Sequence, residues 1–123
     1  MLSGCGTPRK ITKFFSNSFA EDLEHVISRA LSTGIHRMII TGNSLKFSRM
    51  AISISKTRPD VLYAAVGVHP HSSEKGWNDT TLGTLKDLVR VPEVVAVGEI
   101  GLDFNRNYSP KDVQKKVFEA QVR

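Results

Sequence analysis

Glu99 directly follows the apolar run Val94-Val95-Ala96-Val97 and lies between Gly98 and Gly101. A carboxylate at the end of such a run loses hydration, so it needs a cation, a proton or several donors. It reads as a metal-bridging carboxylate or a general base; the plainer reading is a carboxylate satisfied by an arginine or by backbone N–H groups. His69 and His71 flank Pro70. On an extended segment that spacing turns both rings to one side, which could suit a metal ion. Two histidines without further ligands are a weak signal, however. On spacing alone the stronger reading is a rigid loop in which Pro70 sets the turn and one imidazole caps a backbone group. Asp103, four residues past Glu99, either orders a metal-bound water or neighbouring ligand or caps the following turn. Arg106 offers a guanidinium fork to a phosphate, or is an ordinary solvated loop arginine. Trp77 could stack on a base, but packing over the sheet edge is the plainer role. Cys5 has no partner motif.

These residues need elements to carry them. Ser18 with Glu21 forms a capping-box pattern. Phe19, Leu23, Val26, Ile27, Ala30 and Leu31 follow on one helical face, and Gly34 stands where a helix ends. Ile35 to Thr41 is an apolar run fit for a strand buried on both faces. Ser44 starts a second helix to about Lys56, ended by Arg58-Pro59-Asp60. Val61 to Val68 is the second apolar run, ending in His69-Pro70-His71. A third helix starts at Asp79-Thr80 with Leu82, Leu85, Leu88 and Val89 as its buried stripe; Gly83 weakens it. After Val94–Val97, Ser109 as cap and Pro110 at the first helical position open a fourth helix. Its buried positions are Val113, Val117, Phe118 and Gln121.

Strands alternating with helices predict βαβ units and a parallel sheet. A doubly wound sheet and a (β/α)₈ barrel both fit. In either one, ligands bind at the carboxyl ends of the strands. Those ends carry Thr41 and Asn43, then His69 and His71, then Glu99 and Asp103, so one polar pocket shared by three strands is expected.

Composition sets the outer bounds. The chain has 123 residues and a formal net charge of +5, which suits one domain or part of one. The positive balance is compatible with a polyanionic partner or with a generically basic surface. A lone cysteine excludes an internal disulfide framework and points to a reducing, intracellular compartment. Nucleus and cytoplasm both fit. The basic, Ser-containing start with no acid before Glu21 leaves the mitochondrion open. No apolar run is long enough to span a membrane. There is no phosphate-binding glycine fingerprint, no CxxC and no HExxH.

Four stretches stand out together: Ile39-Ile40-Thr41-Gly42, Val66-Gly67-Val68-His69-Pro70-His71, Val97-Gly98-Glu99-Ile100-Gly101-Leu102-Asp103-Phe104-Asn105-Arg106-Asn107, and Gln114 with Phe118-Glu119-Ala120-Gln121. In them the sequence closely resembles the TatD family of metal-dependent deoxyribonucleases, with the eukaryotic branch nearest. The resemblance implies an α/β fold, a partial (β/α)₈ TIM-type barrel of the metal-dependent hydrolase type. It also implies phosphodiester hydrolysis in DNA, acting on single strands or ends. Glu99 would bridge two divalent ions, magnesium first, with manganese or zinc as alternatives. His69 and His71 would line the mouth nearer the substrate phosphate, and Asp103 would stand behind the ligands. The family's opening strand has no match in residues 1–17, and its later ligands would lie past Arg123. Residues 18–123 are therefore expected to be about half of a barrel of ~250 residues, from a truncated or alternatively spliced product with little or no activity of its own. Two alternatives stand beside this reading. One is a non-catalytic half-barrel that associates through open sheet edges. The other is a related metal-dependent amidohydrolase acting on small substrates.

Overall fold

A computed structural model describes residues 22–123. Helix α1 (Leu23–Ser32) leads to β1 (Met38–Thr41), α2 (Leu45–Ser55), β2 (Leu62–Val66), a single 3₁₀ turn (Pro70–Ser72), α3 (Thr81–Leu88), β3 (Val94–Val97) and α4 (Lys111–Val122). The strands form one sheet in the order β1-β2-β3. Both pairings are parallel, from Met38↔Leu62 to Thr41↔Ala65 and on to Val66↔Val97, with a register shift between Ala64 and Ala65. Neighbours in sequence are neighbours in space, as adjacent staves of a barrel require.

The capping pair Ser18 and Glu21, and Phe19, lie outside the described residues. Ile27, fully buried, anchors α1, with Leu23, Ala30 and Leu31 packed beside it. The helix ends as its glycine predicts. Gly34 takes φ +92, its N–H bonds Leu31 O at 3.1 Å, and Ile35 N–H reaches back to Ala30 O at 3.2 Å. This closes the last turn through a left-handed residue.

β1 is shorter than the apolar run suggests. Ile35, His36 and Arg37 are exposed, and pairing starts at Met38, whose N–H donates to Val61 O at 2.8 Å. Ser44 caps α2 as expected, accepting from Phe47 N at 3.3 Å. The buried face of α2 is Ser48, Ala51, Ile52 and Ser55, a stripe of mostly small residues that a search for large hydrophobics misses. Small side chains let α2 lie close on β1 and β2. At Gly42 the approach leaves no room at all: a Cβ there would fall 2.4 Å from the Ser48 Cα.

Two helix expectations need correction. Val89 is 38% exposed rather than part of the α3 stripe, which rests on buried Leu85. Ser109 does not cap α4, whose first turn has no side-chain cap; its hydroxyl is used elsewhere, as described below. β3 forms where predicted but is an edge: Val95 and Val97 are 52% and 48% exposed. No helix among the described residues is long and apolar enough to cross a membrane.

Two glycines give opposite expectations. Gly42→Ala drives a methyl into α2 backbone and is expected to cost ~2 kcal/mol or more. Gly83→Ala, in a helix with nothing within 4 Å of the new methyl, is expected to gain up to ~1 kcal/mol. Urea midpoints of the two variants check both.

Candidate functional site

The site begins where β2 stops pairing regularly. Its continuation, Gly67-Val68-His69, is buried, so each peptide group needs a partner. Ser48 on α2 supplies one side: Gly67 N–H donates to its Oγ at 3.2 Å, and the hydroxyl donates to Gly67 O at 3.4 Å. Gln121 on α4 supplies the other. Val68 N–H donates to its Oε1 at 2.7 Å, and its Nε2 donates to Val68 O at 3.1 Å. His69 N–H then reaches Asn43 O at 3.0 Å. The His69 imidazole is thereby carried to a defined place.

His69 is nearly buried, and its Nδ1 accepts from the backbone N–H of His71 at 3.0 Å. In the neutral ring the proton therefore sits on Nε2. That nitrogen lies 3.5 Å from Glu99 Oε1. Burial pushes the His69 pKa below the usual histidine range, and the Glu99 carboxylate only partly opposes this. Glu99 follows β3 through a cis Gly98–Glu99 peptide, and its side chain is 44% exposed. It is not sealed against an arginine.

His71 turns to a different carboxylate. Its Nε2 is 2.5 Å from Asp103 Oδ2. The other oxygen, Oδ1, accepts from Asn105 N and Arg106 N, each at 3.1 Å. The His71 hydrogen bond, with these two backbone donors, holds the Asp103 carboxyl down to about 2. The Tyr108 ring meets His71 edge-to-face with centroids 4.7 Å apart.

Gln114 ties this half together. It is fully buried on α4, accepts from Asp103 N at 2.8 Å and donates to Asp103 O at 3.1 Å and Ser109 O at 2.7 Å. Ser109 in turn donates to His71 O at 3.3 Å and accepts from Glu74 N at 3.1 Å. Two glutamines on one helix, two turns apart, thus grip the two strand-end segments that carry the histidines and Asp103.

His69, His71, Glu99, Asp103, Asn105 and Arg106 border one open concavity of about 380 Å³. Thr41 and Asn43 do not line it; Asn43 contributes only its carbonyl to hold His69. Trp77 packs against the core, the plainer of its two roles. Cys5 lies outside the described residues. The residues that spacing failed to single out are Ser48, Gln114, Ser109 and Tyr108. Gln114 and Gln121, polar residues flanking Val117 on a buried helix face, were the available signal.

The donor set does not by itself make a metal centre. The two imidazoles meet edge-to-face with centroids 4.3 Å apart, but each addresses its own carboxylate, and neutral His69 presents a proton at Nε2. Among the described residues no three His, Cys, Asp or Glu side chains come together to hold an ion. Of the two carboxylates bordering the concavity, Asp103 is taken by His71 and two backbone N–H groups, which leaves Glu99 against the six oxygen ligands that magnesium takes.

Parallel strands with helical crossovers and a carboxylate-bearing mouth at the strands' carboxyl ends define an α/β protein of the parallel-sheet class. The TatD related DNase family model matches residues 13–123, and the chain belongs to that family. The 3'-5' ssDNA/RNA exonuclease TatD of Erwinia tasmaniensis is 42% identical over 107 residues, covering 87% of this chain and 41% of that protein. Its Escherichia fergusonii counterpart is 40% identical over 108 residues, covering 88% and 41%. The chain thus spans about two fifths of the length of these curated relatives. Among solved structures, the TatD homologue YJJV of Escherichia coli K12 superposes with a TM-score of 0.74 at 28% identity, over 89% of this chain and 42% of that one. A TatD family hydrolase from Entamoeba histolytica gives 0.68 at 30% identity, over 82% and 36%. These neighbours make the three-stranded unit part of a TIM-type barrel.

The two histidine–carboxylate pairs predict a two-stage acid response. His69 is harder to protonate folded than unfolded, so the unfolded chain gains protons first and stability falls as pH drops below about 6.5. Asp103 is harder to protonate folded, so its contribution is complete above about 4 and is lost as pH approaches 2. Urea midpoints across pH should show both stages. Asp103→Asn should diminish the lower one, to which Glu24 beside Arg58 also contributes, and leave the upper.

Proposed function

We propose that this chain carries one wall of a divalent-metal-dependent nuclease site that hydrolyses phosphodiester bonds in DNA, single strands or ends being the substrate. The observation that carries the reading is the half-exposed Glu99 carboxylate beside His69 Nε2 in an open concavity at the carboxyl ends of parallel strands. In it, Glu99 contributes a metal-binding carboxylate. A divalent cation, magnesium foremost, would supply the activated water and the charge to steady the scissile phosphate. His69 presents an N–H toward a phosphate oxygen, with Nδ1 held by His71. Arg106 offers a guanidinium fork to the same anion, and the Asp103–His71 pair keeps the rim in register. The names of the relatives, exonucleases on single-stranded DNA and RNA, support the substrate class. An intracellular setting, nuclear or cytoplasmic, accords with the lone cysteine.

With one free ligand, the isolated chain is expected to hydrolyse DNA little or not at all in magnesium. The decisive comparison is a chimaera in which residues 22–123 replace the matching segment of the Erwinia tasmaniensis exonuclease. Metal-dependent degradation of end-labelled single strands is expected, and Glu99→Gln should reduce it at least ~100-fold. A folded but inactive chimaera, or one indifferent to Glu99→Gln, overturns the reading.

A second reading has its own observation. The exposed Val95 and Val97 make β3 an apolar open edge, and such edges pair with other chains. Self-association that grows with concentration is expected in light scattering, and Val95→Lys should abolish it. A wild-type chain that stays monomeric throughout excludes it.

A further inference from the structure

The rim beyond Asp103 carries features that the hydrolytic site does not use. Tyr108 is the most exposed large hydrophobic side chain among the described residues, at 66%, yet it touches His71 of the site. An aromatic ring left in water loses the stabilisation that burial would bring. A tyrosine at such a place offers an apolar face and a hydroxyl to whatever enters the cleft beside it. Four residues earlier in the same loop, Phe104 is 38% exposed, and the Lys111 and Lys115 ammonium groups lie 5.4 and 5.8 Å from its ring centroid. Those two cation–π contacts hold both lysines on the rim. Among the described residues neither is ion-paired with a carboxylate. Asp112 between them is exposed, and Asp103 is committed to His71.

The loop that presents these groups is held in place from inside. Asp103 Oδ1 takes the Asn105 and Arg106 N–H groups, Asn107 Nδ2 donates to Phe104 O at 2.8 Å, and Gln114 grips both Asp103 and Ser109. An exposed ring on a pinned loop that also carries Phe104 with its two lysines, touching a histidine of an open polar cleft, is an arrangement that suits single-stranded nucleic acid. Bases stack on aromatic faces, phosphates meet the cations, and no base sequence is read.

We propose that Tyr108, with Lys111 and Lys115, forms a stacking subsite for one base of a single-stranded polynucleotide whose adjoining phosphate enters the concavity bordered by Arg106 and His71. The subsite rests on the nucleic-acid reading given above and extends it, assigning the place where the strand is held before any chemistry. It implies preference for single strands, because a base inside a duplex has no free face to offer. It also implies tolerance of sequence, because every base has one.

The test is fluorescence anisotropy with the full chain in EDTA at low salt, so that hydrolysis plays no part. The probes are labelled oligothymidylate of about ten nucleotides, within the range such sites cover, and an abasic strand of equal length. Tyr108→Ala is expected to weaken oligothymidylate binding roughly 5- to 100-fold, the range that aromatic stacking supplies, and Tyr108→Phe to restore it. The abasic strand should bind weakly and not respond to Tyr108→Ala. Lys111→Ala and Lys115→Ala should each lower the slope of log affinity against log salt by about 0.7. Equal affinity for the two strands, or indifference to Tyr108→Ala, overturns the stacking subsite and leaves the hydrolytic reading standing. Failure to bind either strand overturns the subsite too, while the chimaera assay judges the hydrolytic reading separately.

Discussion

Past Val66 the regular ladder of the sheet ends, but the backbone of Gly67, Val68 and His69 runs on through buried space and still needs hydrogen-bond partners. Leaving such groups unpaired costs about 1–3 kcal/mol each, so the segment could not persist without Ser48 and Gln121. Their side chains act as a substitute ladder, one from each flanking helix. The close seat of α2 at Gly42 follows from the same need, because Ser48 must reach Gly67. The histidine half of the mouth hangs on this extension: His69 is placed by it, and His71 is placed by His69 and Ser109.

Each polar side chain at the mouth has two ends with different duties. His69 caps a backbone N–H through Nδ1 and faces Glu99 through Nε2. Asp103 caps a turn through one oxygen and holds His71 through the other. The structural and the chemical readings of these residues are therefore not rivals. A two-ended group that is satisfied at one end is oriented at the other, which is how a polar site becomes rigid without being closed off. Glu99 differs. It has one partner, His69 Nε2 at 3.5 Å, and remains half exposed.

The edge of the sheet beside this mouth is unfinished. β3 shows solvent to Val95 and Val97, whereas a central strand of a parallel sheet is covered on both faces. The chain's span of about two fifths of its curated relatives accords with that exposure. Of the two carboxylates that border the concavity, Asp103 is held by His71 and two backbone N–H groups, and Glu99 is left half exposed.

The order of strands and helices, the parallel sheet, the Gly34 helix end and the Ser44 cap were all legible in the chain, because each depends on local periodicity or on the conformational freedom of one residue. So was the delivery of His69, His71, Glu99 and Asp103 to one rim, since parallel crossovers put all strand ends on the same side. The partners of those residues were not legible. Which carboxylate each histidine takes, the conversion of Ser109 from helix cap to loop bracket, and the burial of Gln114 depend on contacts between segments far apart in sequence. A glutamine on an amphipathic helix reads the same whether it meets water or a strand end. Only the packed structure, by removing the water, decides that it must bind the backbone it faces.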